Sequence, residues 1–290
     1  MSIDAALRSR AEGLAAPLPP LLADARHLAQ SVHLGAHGRR RAGTGDEFWQ
    51  YRPAMPGDEA RSIDWRRSGR SDAHFVREKE WQAAQSVLLW VDGGRSMDFA
   101  SGTDLPTKGD RARLLALALS VLLIRGGERV GLSGLSLPPR SGEVQLIRLA
   151  AALGAEHPDD YGVPEARGML PRSRAVFVSD FLGDPAAVEA ALTKAADRGV
   201  HGALVMVLDP QEEAFPFDGR TIFESVGGSL RHETLKAADL RDRYLARLAD
   251  RKAWLADLCR ATGWQFHAHR TGDPAPATLL WLYSALERDR

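Results

Sequence analysis

The sequence predicts an α/β protein: a doubly wound, mostly parallel sheet with helices on both faces, carrying a smaller β-containing N-terminal appendage. Three observations predict it. The short apolar runs "SVLLWVD" (86–92), "AVFVSD" (175–180) and "GALVMVLD" (202–209) lack the alternation of a half-solvated sheet, and they suit strands buried on both faces. Stretches with helical signals separate them, which implies crossover connections and parallel pairing. Residues 37–84 differ in kind, with three of the seven tryptophans, Trp49, Trp65 and Trp81, amid turn residues and charges of both signs.

In chain order, residues 1–36 form an N-terminal helical segment, where "LPPLLADARHLAQSV" begins a short helix after Pro19 and Pro20. Residues 37–84 form the appendage, with a turn at Pro56, Gly57 and Asp58 and a strand in "HFVREKEW". Residues 85–290 form the main domain. Its helix "KGDRARLLALALSVLLIRGG" has Asp110 near the start and Gly126 and Gly127 past the end. "ERVGLSGL" (128–135) is a second strand, while the periodicity of "EVQLIRLAAAL" leaves strand and helix both open. A polar, proline-containing segment, 154–173, follows. Asp184 caps the helix "DPAAVEAALTKAADRG", and "GRTIFESVGGSLRHETL" reads as a hairpin about Gly227 and Gly228. "LKAADLRDRYLARLADRKAWLADLCRATG" is a long amphipathic helix, "WQFHAHR" an alternating strand and "PATLLWLYSALERD" a closing helix.

Composition narrows the function classes. Lys plus Arg and Asp plus Glu both total 38, so net charge gives no global attraction to nucleic acid or anionic lipid. The triplet in "GRRRAG" (38–43) is followed closely by acids, and we expect no nucleic-acid partner. One cysteine, Cys259, excludes an internal disulfide framework and a multi-cysteine zinc site. The apolar stretch 114–124 has about half of the roughly 20 residues that a bilayer requires, and the first residues lack the apolar core of a signal peptide. The expectation is a cytoplasmic protein without direct membrane insertion.

Three aspartates, Asp92, Asp180 and Asp209, end apolar strands, which sends them to the rim where open α/β sheets bind ligands. Two carboxylates on adjacent strands would suit a hard cation, with Ser96 and Ser179 adding oxygens. Asp after a strand also commonly caps a turn or the next helix, and spacing alone points to that ordinary role. His267 and His269 share a strand face and could ligate a metal, although a solvent-facing pair near a sheet edge is the simpler expectation.

The loop "VDGGRSM" (91–97) resembles the Asp-x-Ser-x-Ser loop of von Willebrand factor A domains, which builds a metal-ion-dependent adhesion site. With "YRPAMPGDEARSIDWRRSGR", "GERVGL", "VFVSDF" and "LRDRYLARL...CRATG", the chain from about residue 35 onward is similar to the bacterial domain of unknown function 58 family, whose members are often encoded beside MoxR-type AAA+ ATPases. The resemblance implies a von Willebrand A-like main domain and a divalent cation, magnesium or another, held by Asp92, Ser96 and Asp180. Gly94 stands where the loop's first serine belongs, so binding should be weak and Gly94→Ser should strengthen it. Ser141 is the candidate, by rough location, for a missing hydroxyl ligand.

In "RPAMPGDEARSIDW", the residues Arg52, Asp58, Arg61, Asp64 and Trp65 are candidates for an interaction surface. The structural reading has Asp58 serving the turn, Asp64 pairing with an arginine and Trp65 packed under the sheet. For the arginines both readings stay open. Enzyme signatures are missing: Gly94 occupies the place of a dehalogenase-type second aspartate, "GLSGL" is not Gly-x-Ser-x-Gly, and no phosphate loop is present. The missing signatures point to a non-enzymatic interaction module, and the family resemblance implies that it works as an adaptor or partner of a MoxR-type AAA+ ATPase. The alternative is a metal-dependent phosphoester hydrolase using Asp92 and Asp180.

Overall fold

A computed structural model describes residues 20–32, 42–56, 58–69, 74–80, 84–133, 137–154, 159–165, 168–224 and 231–287. The basic triplet of "GRRRAG" lies outside the described residues. The chain divides into two compact units, Met1–Val32 with Gln85–Arg290, and His33–Ala84.

The larger unit is a mixed α/β structure with a six-stranded sheet in the order β10-β7-β6-β3-β4-β5. Its strands are β3 (Ser86–Val91), β4 (Arg129–Leu132), β5 (Leu137–Arg140), β6 (Arg174–Ser179), β7 (His201–Leu208) and β10 (Gln265–Arg270). All neighbours pair in parallel except β5, which runs antiparallel to β4 at the edge. That edge strand escaped sequence reading because Pro138 and Pro139 lie in it, and prolines are confined to sheet edges. The chain moves one way from β3 to β4 and then returns to the other side of β3 as β6. The strand order therefore reverses between β3 and β6.

Alternate residues of the central strands serve opposite faces. Leu88 and Trp90 of β3 join Phe177 of β6 and Leu204 and Met206 of β7 in a core closed by α5 (Pro185–Ala196) and α7 (Ala238–Thr262). Cys259 of α7 is sealed in that core, where burial pushes its thiol up to about 12. The other face is covered by α3 (Lys108–Arg125), which is itself flanked by α1 (Pro20–Ser31) and α8 (Ala275–Glu287). Being covered on nearly every side, α3 can be apolar almost all round. The helix of the N-terminal segment thus belongs to the main unit. The ambiguous "EVQLIRLAAAL" is helix α4 (Glu143–Leu153), burying Leu146, Leu149 and Leu153 at helical spacing.

Two shorter pieces matter for the rim. Helix α6 (Pro210–Ala214) follows β7 directly, and β8 (Thr221–Glu224) pairs antiparallel with β9 (Arg231–Thr234). In the smaller unit, β1 (Ala42–Pro53) pairs antiparallel with β2 (Phe75–Glu80), and the four-residue helix α2 (Trp65–Ser68) lies between them in sequence. No helix among the described residues is long and apolar enough to cross a membrane.

Candidate functional site

The reversal point between β3 and β6 brings Asp92 beside Ser179 and Asp180. Asp92 is almost wholly buried, and three donors inside the protein hold its carboxylate. Oδ1 accepts from the amides of Gly94 (2.7 Å) and Gly162 (2.9 Å), and Oδ2 accepts from the Ser179 hydroxyl (2.6 Å). Burial pushes the Asp92 carboxyl above the usual range, against the opposing pull of Ser179 and the two amides.

The Gly162 amide comes from the segment 159–165, which sequence reading treats as a separator. It is instead clamped to the β3 loop: Arg95 N–H donates to the Asp159 carbonyl (2.9 Å) and Ser96 N–H to that of Asp160 (2.8 Å). This explains the glycine in the adhesion-type loop. A Cβ on Gly94 would lie 2.8 Å from the Gly162 nitrogen and 2.9 Å from the Asp160 oxygen. A Cβ on Gly162 would lie 2.3 Å from Asp92 Oδ1. Gly94→Ser therefore displaces the segment rather than restoring a ligand, which corrects the expectation from the motif.

Asp180 is neutralised differently. Its Oδ1 accepts from the Leu182 amide (3.0 Å), and its Oδ2 accepts from the ammonium of Lys108 (2.9 Å), the first residue of α3. Lys108 also donates to Glu212 Oε1 at 2.6 Å. The lysine is 1 % exposed. Burial works to lower its pKa, but Asp180 and Glu212 outweigh that and hold it above the ordinary value. Glu212 Oε2 accepts from the Asp209 amide, completing a capping box at α6, and Asp209 takes the amides of Gln211 (2.8 Å) and Ser101 (2.9 Å). The third strand-end aspartate is thus a helix cap.

These positions do not fit a divalent cation. Asp92 faces a cavity of about 260 Å³ beside Gly183 and Val188, whereas Ser96 and Asp180 face a separate cavity of about 600 Å³. The three expected ligands are thereby divided between two cavities. Among the described residues, no group of three or more His, Cys, Asp or Glu is arranged to hold a metal ion. Ser141 follows Arg140, which pairs with Val130 near the start of β4, so it lies at the opposite end of the strands. His267 and His269 are not a solvent-facing pair. Both rings approach Thr278 Oγ1, at 3.3 and 2.9 Å, and His269 is 2 % exposed. Burial and the Arg111 cation hold the His269 pKa down to about 4.

The larger cavity has one charged side, formed by Lys108, Asp180 and Glu212, and an aromatic wall of Phe215, Phe217, Phe223 and Tyr244. Phe215 adopts left-handed backbone (φ 44°), an uncommon conformation for a bulky residue, and its ring packs 4.8 Å from Tyr244 and 5.6 Å from Phe223. Arg241 holds this turn by donating to the carbonyls of Phe215 (3.0 Å) and Phe217 (3.4 Å). Arg243 and Arg247, one helical turn apart on α7, line the same cavity, are exposed and have no ion-pair partner among the described residues.

In the smaller unit, the Arg52 guanidinium grips Asp58 with two bonds of 2.7 and 2.6 Å, and the Met55 amide adds a third (2.7 Å). Those contacts hold the Asp58 carboxyl down to about 2. Asp64 caps α2 by accepting from the Arg67 amide (3.0 Å) and takes the Tyr51 hydroxyl (3.0 Å). Trp65 is 59 % exposed and touches His74 edge-on, so it is not packed under a sheet. Met55, at the same turn as Asp58, is 64 % exposed. The side chain of Arg61 lies outside the described residues.

Residues 50–254 match the family described as "Protein of unknown function DUF58". The chain belongs to this family. Uncharacterized proteins of Mycobacterium bovis and Mycobacterium tuberculosis are similar, each 28% identical over 270 residues that span 86% of this chain and 82% of theirs. Among solved structures, the chain is similar to an aerotolerance-related membrane protein from Bacteroides fragilis (TM-score 0.44, 14% identity, 70% of this chain, 98% of that one). It is similar also to the conserved hypothetical protein BatB from Bacteroides thetaiotaomicron (TM-score 0.42, 13% identity, 70% and 98%). The family match begins at Gln50 and takes in the Arg52–Asp58 turn, Asp92, Lys108 and Glu212.

Proposed function

We propose that this DUF58 protein is a non-enzymatic, von Willebrand A-like interaction module that works in the cytoplasm as an adaptor or partner of a MoxR-type AAA+ ATPase. It grips its partner at the carboxyl ends of the strands. The observation that carries the reading is the cavity of about 600 Å³ at that rim, with an aromatic wall, two arginines that have no ion-pair partner among the described residues, and two acids, Asp180 and Glu212, already held by Lys108. Aromatic and arginine side chains are the usual anchors of protein interfaces. An apolar partner side chain followed by a carboxylate matches this lining: the ring wall takes the one, Arg243 and Arg247 the other.

The hydrolase alternative needs Asp92 or Asp180 free to hold a metal or attack a phosphorus centre. Asp92 has three internal donors and Asp180 is ion-paired to Lys108, so neither carboxylate has the required freedom. The ATPase in the reading rests on the family resemblance, and the exposed Trp65 and Met55 offer a second contact surface for it.

The test is equilibrium binding of the purified full chain to the MoxR-type ATPase of the same genome, with and without nucleotide. A complex weakened at least about tenfold, or about 1.4 kcal/mol, by Tyr244→Ala or by Arg243→Glu with Arg247→Glu is the expected result. No complex in any nucleotide state, or one indifferent to these changes, would sink the reading.

A further inference from the structure

We infer that the ammonium of Lys108 is a built-in replacement for the rim cation, so that this site is charged permanently by the chain itself and takes up no divalent ion. The argument is positional. At the carboxyl ends of β6 and β7, where the strand order has just reversed, two acids converge on one point, Asp180 from the end of β6 and Glu212 from α6. Lys108 Nζ sits at that point, 2.9 Å from one carboxylate and 2.6 Å from the other. Ser96 Oγ lines the same cavity, is buried and has no hydrogen-bond partner among the described residues. Two carboxylate oxygens that meet at one position, with a buried hydroxyl in the lining of the same cavity, are donors of the kind a hard cation takes, with water completing the shell. The Lys108 ammonium satisfies both carboxylate oxygens, while the Ser96 hydroxyl stays without a partner among the described residues.

The placement of the lysine is costly in every local respect. It stands at the first position of α3, where the helix dipole disfavours a cation, and burial disfavours its charge. The two acids offset this, and the Phe99 ring, with its centroid 5.9 Å from the ammonium, adds a weaker cation–π contact. The same arrangement accounts for the rest of the rim. Without a metal to hold, Asp92 is released from ligand duty and turns to Ser179 and Gly162. The loop then needs no serine at 94, and segment 159–165 closes where that serine would stand.

Removing the ammonium should therefore open a cation site. The experiment uses the full chain, with Mn²⁺ as the probe, read by electron spin resonance and by the thermal unfolding midpoint. In the native chain we expect no saturable Mn²⁺ binding that depends on Asp180, and an unfolding midpoint unchanged by Mn²⁺ or by chelator. In Lys108→Ala we expect a lowered midpoint that millimolar Mn²⁺ restores, with one saturable site lost again when Asp180→Asn is added. Lys108→Arg, which keeps the charge, should fold and remain insensitive to Mn²⁺. Binding to the native chain that Asp180→Asn removes would overturn the inference. So would a Lys108→Ala chain that binds no Mn²⁺, or that stays unfolded in Mn²⁺ while Lys108→Arg folds. None of these readouts involves a partner protein, so they stand or fall separately from the interaction reading.

Discussion

Asp92 and Asp180 end neighbouring strands of one sheet, and both are all but inaccessible to water, yet they are held by opposite means. Asp92 has only neutral donors: two backbone amides and a hydroxyl. Asp180 has a formal positive charge, shared with Glu212. Burial outweighs the neutral dipoles and leaves the Asp92 carboxyl with a raised pKa, whereas Asp180 faces a full positive charge at 2.9 Å. The lesson is that one rim can hold two buried acids through separate sets of partners, even though the charge of Asp180 adds to the rise at Asp92.

The comparison predicts its own breakdown. The largest effect belongs to Lys108→Met, which leaves Asp180 and Glu212 facing each other without a cation. Breaking a buried ion pair on one side costs about 3–5 kcal/mol, measurable by denaturant unfolding, and adding Asp180→Asn should recover part of it. If the single variant lost less than about 1 kcal/mol, the charge-based half of the contrast would be wrong. On the Asp92 side, Gly162→Ala forces a methyl against Oδ1 and should cost about 1–3 kcal/mol without altering the Lys108 cluster. Faster hydrogen exchange confined to segments 93–98 and 159–165 would confirm that the two halves are separable.

The smallest effect comes from a partly buried acid of the other unit. Asp58, gripped by Arg52, has its folded pKa depressed from 3.8 to about 2. Its contribution to stability is therefore complete above about pH 4 and is lost as pH falls towards 2. Carboxyl carbon shifts followed by NMR should show that midpoint, and Arg52→Ala should return it towards 3.8. The sign is opposite for Asp92, whose raised pKa makes its contribution greatest at low pH and diminishing as pH rises.

Much of the scaffold was legible in the sequence, because strands buried on both faces leave unbroken apolar runs and each ends in a visible acid. The positions of Asp92 and Asp180 followed from that alone. Lys108 did not, because a lysine in a first turn reads as solvated; its one signal is that a cation there opposes the helix dipole. Glu212 also left a trace, as the fourth residue of "DPQE", an acid-x-x-Glu capping pattern. Segment 159–165 left none, since it acts through the backbone of Asp159, Asp160 and Gly162 and its polar composition matches any loop. Trp65 was misjudged for a related reason: whether an aromatic ring is covered depends on what the fold brings over it, and nothing local records that.

The clamp of 159–165 over the β3 loop also has a kinetic side. Gly162 and Asp92 are 70 positions apart, and Ser179 and Asp92 are 87 apart. Closing loops of that length costs chain entropy before the contact returns anything. The β3–β6 pairing closes a loop of the same length, since Val91 pairs with Val178. The edge of the rim that Asp92 holds therefore forms together with the central sheet and not ahead of it. The Gly162 amide, donated to a buried carboxylate, reports when that edge has closed.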